Sequence, residues 1–111
     1  MHCSHGEREP WAYGGQALLI ARKFFKLRQR LFPYIYDAAR ECSEKNLPLC
    51  RPLYIEEANN PNSYHYPDEY YFGRDILCAP ITEAQALCGG VRTVYFPQGI
   101  WHDIFTGEIF K

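Results

Sequence analysis

The sequence predicts an α/β segment that runs into a β-meander, an incomplete architecture rather than a closed domain. Three observations carry this. Helical periodicity runs from Gln16 to about Lys45, a turn-rich stretch covers Glu56 to Asp68, and short β-like runs broken by Gly and Pro come after it. One long helix, one buried strand and an unfinished sheet leave apolar faces with nothing to cover them. The chain is therefore expected to be part of something larger, with Met1 an internal methionine.

Each element has its own warrant. His2 to Glu9 is polar and ends in Pro10-Trp11 and Gly14-Gly15, a loop leading into a helix. From Gln16 onward Leu18, Leu19, Phe25, Leu31, Phe32, Ile35, Tyr36, Ala39 and Cys42 recur mostly at spacings of three or four, with basic residues between them. Pro33 lacks an amide donor, so the helix should kink or divide near Phe32. Asn46 and Pro48 end it. Leu49 to Ile55 is apolar enough for a buried strand, although Pro52 makes that strand irregular or places it near its end.

Asn59 to Ser63 and Pro67 supply the turns of a connection, which is the best domain boundary in the chain. Residues 69–73 and 76–81 then read as short strands. Residues 91–96 and 100–105 bracket Pro97-Gln98-Gly99, a hairpin signature, and Ile109-Phe110 begins a further strand after the turn at Thr106-Gly107.

Composition narrows the function classes. A net charge of −1 gives nucleic acid no electrostatic footprint, and the basic residues Arg22 to Arg30 fit a solvated helix face. No stretch approaches the roughly 18 apolar residues of a membrane span, and the N-terminus has no hydrophobic signal core. Five cysteines, an odd number without a CxxC pair, argue against a disulfide framework and for a reducing, cytoplasmic setting. Cys3 beside His2 and His5 suggests a metal, but structural zinc takes four ligands and no fourth accompanies them. No metal or cofactor is expected. Trp11, Tyr13 and Trp101 could stack on sugars, yet core or domain-interface packing is the better reading. Arg51, in the buried strand, needs a carboxylate partner.

Five stretches, in order and spacing, resemble the C-terminal part of the catalytic region of glycoside hydrolase family 31, the α-glucosidase and α-xylosidase family. They are Arg8-Glu9-Pro10-Trp11, residues 27–36 (LRQRLFPYIY), residues 48–53 (PLCRPL), residues 71–80 (YFGRDILCAP) and residues 95–103 (YFPQGIWHD). The second and fourth are close to diagnostic. The resemblance implies the last β/α elements of a TIM (β/α)8 barrel joined to the start of a C-terminal β-sandwich. Residues 1–57 would close the barrel, with Leu49 to Glu56 as its eighth strand, and 58–111 would be linker and sandwich. A complete barrel needs about 250 residues, so most of it would lie upstream and serve as the packing partner.

The implied activity is retaining hydrolysis of α-linked oligosaccharides or glycosides, with α-glucosidase first and α-xylosidase as the alternative. Retention needs two carboxyls about 5 Å apart. In the family both aspartates lie upstream of this region, so no catalytic residue maps here and the chain alone should be inactive. Its own carboxylates, Glu7, Glu9, Asp37, Glu41, Glu44, Glu56, Glu57, Asp68, Glu69, Asp75 and Asp103, are expected in loops, in turns or on the polar helix face.

Family members also carry an Arg-x-His stretch whose histidine bonds a hydroxyl of the sugar being cleaved. His2 stands at the matching distance before Arg8 to Trp11, while that arginine would precede Met1. In the isolated chain His2 is expected to have no role, and in a parent enzyme to contact sugar. Two readings from other classes compete: a non-catalytic carbohydrate-binding or interaction module built on the β-half, and a small metal-binding protein.

Overall fold

The structure is a computed structural model that describes residues 6–82 and 91–111. A 3-10 turn at Pro10–Tyr13 leads to α1 (Gly15–Arg30) and α2 (Phe32–Lys45). Next come β1 (Cys50–Pro52), a single helical turn α3 (Leu53–Glu56) and a second 3-10 turn (Pro61–Tyr64). The described part ends with β2 (Tyr70–Phe72), β3 (Ile76–Cys78), β4 (Trp101–His102) and β5 (Ile109–Phe110).

The expected long helix is present and divides at Leu31, where ψ opens to −1°. Pro33 comes two residues later; with no amide hydrogen it cannot donate to the carbonyl of residue 29. The Leu31 amide still reaches Leu27 O at 2.9 Å and Ile35 N reaches Leu31 O at 2.9 Å, so α1 and α2 stay joined. Asn46 closes α2 in the left-handed region, with φ 57° and ψ 28°. Asn tolerates that conformation because its short polar side chain can bond locally.

The strand expected over Leu49 to Ile55 is shorter than its apolar run. Only Cys50–Pro52 pairs, antiparallel to β2 with Arg51 opposite Tyr71. From Leu53 the chain winds into α3, and Glu57 N bonds Leu53 O at 2.9 Å. Pro52 supplies the reason, since it offers no donor to extend the ladder. β2 then pairs with β3 through a tight turn, giving the sheet order β1-β2-β3.

The expected hairpin about Pro97 to Gly99 is not formed. Residues 91–96 join no ladder among the described residues, and β4 pairs instead with β5, Trp101 opposite Phe110 and His102 opposite Ile109. Asp103 nucleates that turn: its Oδ1 accepts the amides of Phe105 and Thr106 at 2.6 and 2.9 Å. The 97–100 loop is closed by the Trp101 indole, which donates to Pro97 O at 2.7 Å.

The packed centre lies between α2, α3 and the three-stranded sheet. Ala38, Leu53 and Tyr71 are its buried apolar residues among those described, and Arg51, Ser63 and Glu69 are equally enclosed. Helix α1 buries none of its residues, and Leu19 and Ile20 are more than half exposed. The radius of gyration is 16.4 Å, where a compact domain of this length has about 13 Å. The accessible surface is 9025 Å², against about 6,300 Å² for a compact monomer of this mass. Apolar side chains of α1 are left uncovered by the described residues.

Candidate functional site

His2, with Cys3 and His5, lies outside the described residues. Downstream of them Pro10 opens the 3-10 turn, Ala12 N bonds Glu9 O at 2.9 Å, and Gly14 ends the turn with φ 90°. This turn presents Trp11 and Tyr13 to solvent, 65% and 63% exposed. Neither is a core residue of this chain, which leaves both free to cover another surface. Trp101 is the reverse case, packed on Tyr71 and Phe96 with ring centroids 6.1 and 6.4 Å away.

Arg51 is the charged centre of the fold. It is 2% exposed, and all three of its donor nitrogens are used. Nη2 meets Glu41 Oε2 at 2.8 Å, Nη1 meets Glu56 Oε1 at 2.6 Å, and Nε donates to Pro48 O at 2.8 Å. The partner that burial requires is thus supplied twice within the chain, from α2 and from α3. Glu41 also takes Lys45 at 3.0 Å. Lys45 and then Arg51 hold its carboxyl below the usual glutamate range. Glu56 leads in holding the Arg51 guanidinium charged. Carboxylates neutralised in this way are structural: general acid–base work needs two carboxyls with pKa values pushed apart.

A second polar cluster ties the connection to the later strands. Glu57 Oε2 accepts from Asn60 Nδ2 at 2.7 Å and from the Tyr95 hydroxyl at 3.2 Å. Burial, then the charge of Glu57, pushes the Tyr71 phenol up to about 12. Glu69, expected among the loop, turn and helix-face carboxylates, is enclosed where it stands: it is 1% exposed. Its Oε1 accepts the Tyr95 amide at 3.1 Å. The sequence signal was available, because Glu69 directly precedes the apolar run Tyr70-Tyr71-Phe72. Glu41 is likewise no solvated helix-face residue, since it seals the buried arginine.

Sequence reasoning also missed Tyr34. Its hydroxyl donates to Phe72 O at 2.7 Å and accepts the Asp75 amide at 3.0 Å, pinning α2 to the β2–β3 turn. A shallow cleft of about 330 Å³ beside it is lined by Tyr34, Asp37, Glu41, Arg40, Lys45 and Arg74, among others. Several of its charges pair with one another: Asp37 with Arg40 at 3.3 Å, and Glu41 with Lys45 at 3.0 Å and with Arg74 at 4.0 Å. Among the described residues no group of three or more potential ligands could hold a metal ion, and no helix is long and apolar enough to cross a membrane.

Comparison with known proteins places this arrangement. Residues 1–38 match the glycosyl hydrolases family 31 TIM-barrel domain and residues 46–111 match the glycosyl hydrolase family 31 C-terminal domain. The chain is 37% identical over 112 residues to an α-glucosidase 2 of Bacillus thermoamyloliquefaciens, covering 99% of this chain and 14% of that protein. It superposes with a TM-score of 0.83 and 33% identity on an α-xylosidase from a soil metagenome solved with xylose, covering 94% of this chain and 15% of that one. A Flavobacterium johnsoniae dextranase mutant solved with isomaltotriose gives a TM-score of 0.84 at 33% identity, over 95% of this chain and 13% of the other. The described elements are thus the end of a TIM barrel and the start of the β domain after it, and the chain belongs to glycosyl hydrolase family 31.

Proposed function

We propose that this chain is the barrel-to-sandwich junction of a retaining α-glycosidase that hydrolyses O-glycosyl bonds of α-linked oligosaccharides, with α-glucosidase as the first reading. The observation that carries it is the 37% identity, along nearly the whole chain, to an α-glucosidase of which it spans 14%. An α-xylosidase parent is the second reading, favoured by the xylose-bound neighbour.

In either case the chemistry belongs to carboxylates outside these 111 residues. The chain's own contribution is to hold the junction. The Arg51 cluster clamps α2 to β1 and α3, and Tyr34 fixes α2 to the hairpin of β2 and β3. The division into barrel residues 1–57 and linker-plus-sandwich residues 58–111 belongs to the same proposal, with β1 pairing to β2 across it. The uncovered face of α1 fits the remainder of the barrel as its packing partner. His2 supplies the sugar contact; the support is its spacing before Arg8 to Trp11.

The test is turnover. The purified chain, given aryl α-glucosides and α-xylosides, is expected to release no phenol. Hydrolysis that disappears when one of its own carboxylates is replaced would overturn the proposal.

A further inference from the structure

Helix α1 buries none of its residues. Ile20, Phe24 and Leu27 follow one another at spacings of four and three, so they share a helix face. Ile20 is 52% exposed and Phe24 48%. Lys23 and Arg28 rim that face, and α1 as a whole carries five cations (Arg22, Lys23, Lys26, Arg28 and Arg30) and no acid. The chain nets −1, so everything outside α1 nets −6.

A complementary surface stands on the same chain. In the β4–β5 ribbon and the loop before it, Ile100, Ile104 and Ile109 are more than half exposed, with the carboxylates Asp103 and Glu108 beside them. The two surfaces are neighbours. Phe24 meets the Phe105 ring edge-on with centroids 5.9 Å apart, and Lys23 Nζ stands 5.3 Å over the same ring. An apolar stripe rimmed by cations therefore borders an apolar ribbon flanked by anions.

We propose that two copies of this chain pair about a two-fold axis, the α1 stripe of each covering the β4–β5 ribbon of the other. A two-fold axis between adjacent, complementary stripes makes the same contact twice and closes the assembly at two. The accessible surface exceeds that of a compact monomer of this mass by about 2,700 Å². A stable dimer hides about 800 Å² on each copy, well within that excess. Charge selects the arrangement: α1 laid on α1 sets five cations against five, whereas α1 on the ribbon sets them against Asp103 and Glu108. In a longer chain the remainder of the barrel takes the same face of α1; the 111-residue chain by itself meets only its own copies.

Sedimentation velocity of the full chain is the test. At micromolar concentration the expected mass is twice 13.0 kDa, returning to 13.0 kDa on dilution. The dimer should weaken severalfold as salt rises from about 0.01 M to about 0.1 M, where the Debye length falls from about 30 Å to about 10 Å. Ile20→Gln and Ile104→Gln should each raise the dimer Kd about tenfold, for the loss of one buried aliphatic side chain. Both side chains are more than half exposed in the single copy, so far-UV circular dichroism should not change. The salt series uses the unsubstituted chain and is decisive even where a variant misfolds. A mass of 13.0 kDa at every concentration overturns the proposal, as does a Kd unchanged in both variants. A dimer that tightens with salt, the signature of α1 on α1, overturns it too, and so does assembly that grows past two copies.

Discussion

Replacing Gly73 by alanine forces a collision between the two halves of the chain. Gly73 has φ +71° and donates its amide to Leu49 O at 2.7 Å. A Cβ there would lie 2.7 Å from Tyr34 Cζ and 2.9 Å from Cε1, and closer still to the hydroxyl oxygen. Real Cβ atoms do not approach that near, so the Tyr34 ring must leave. The left-handed backbone costs a non-glycine residue about 1–2 kcal/mol. Losing the hydroxyl's bonds to Phe72 O and Asp75 N adds about 0.5–1.5 kcal/mol each. The sum is about 2–5 kcal/mol, a large part of a domain's stability.

Urea denaturation monitored by tyrosine fluorescence measures it, with the midpoint falling by more than in Tyr34→Phe. Because the two residues touch, the double variant Tyr34→Phe with Gly73→Ala should cost less than the sum of the single ones. Gly73→Asn separates strain from collision, since asparagine tolerates the backbone but still carries a Cβ. If Gly73→Asn is as stable as the wild type, the reasoning fails.

Other consequences arise from the same contacts. Arg51→Met leaves Glu41 and Glu56 facing each other's charge with no guanidinium between them; the loss should be about 3–5 kcal/mol by denaturant titration. Adding Glu41→Leu should recover part of it. The Tyr71 phenol, pushed up to about 12 by burial and by Glu57, should ionise last in a spectrophotometric alkaline titration. Because the fold favours its neutral form, that contribution is intact below the ordinary tyrosine value and lost as pH climbs toward about 12. Acid acts oppositely on Glu41, whose carboxyl is held low by Lys45 and Arg51: its contribution is present above the ordinary glutamate range and lost as pH falls below it. Glu41→Gln should flatten that limb of the stability profile.

What could be read from the sequence was local. Pro33 and Asn46 divide and end the helix by backbone chemistry that needs no tertiary partner, and both act as expected. The five motifs pointed to the family because they carry side-chain identity as well as pattern. The failures are non-local. Pro97-Gln98-Gly99 has turn composition, but the ladder forms across 103–108 because the Asp103 carboxylate caps that turn and Trp101 bonds back to Pro97.

Arg51 announced that it needed a carboxylate, yet nothing in the spacing pointed to Glu41, which reaches it only when α2 folds back along β1. Glu69 looks like one more linker acid until packing encloses it. The apolar residues of α1 could be identified but their cover could not, because no described residue of the chain buries them. His2 rests on resemblance alone and lies outside the described residues.

On the proposed reading this chain is one segment of an α-glycosidase whose reacting carboxylates lie outside it. That reading is tested most directly by exchanging the chain for the corresponding segment of the 37% identical α-glucosidase 2 and measuring hydrolysis of an aryl α-glucoside. The expected result is a chimera that turns over substrate while the isolated chain does not. A folded, inactive chimera beside an active isolated chain would contradict it.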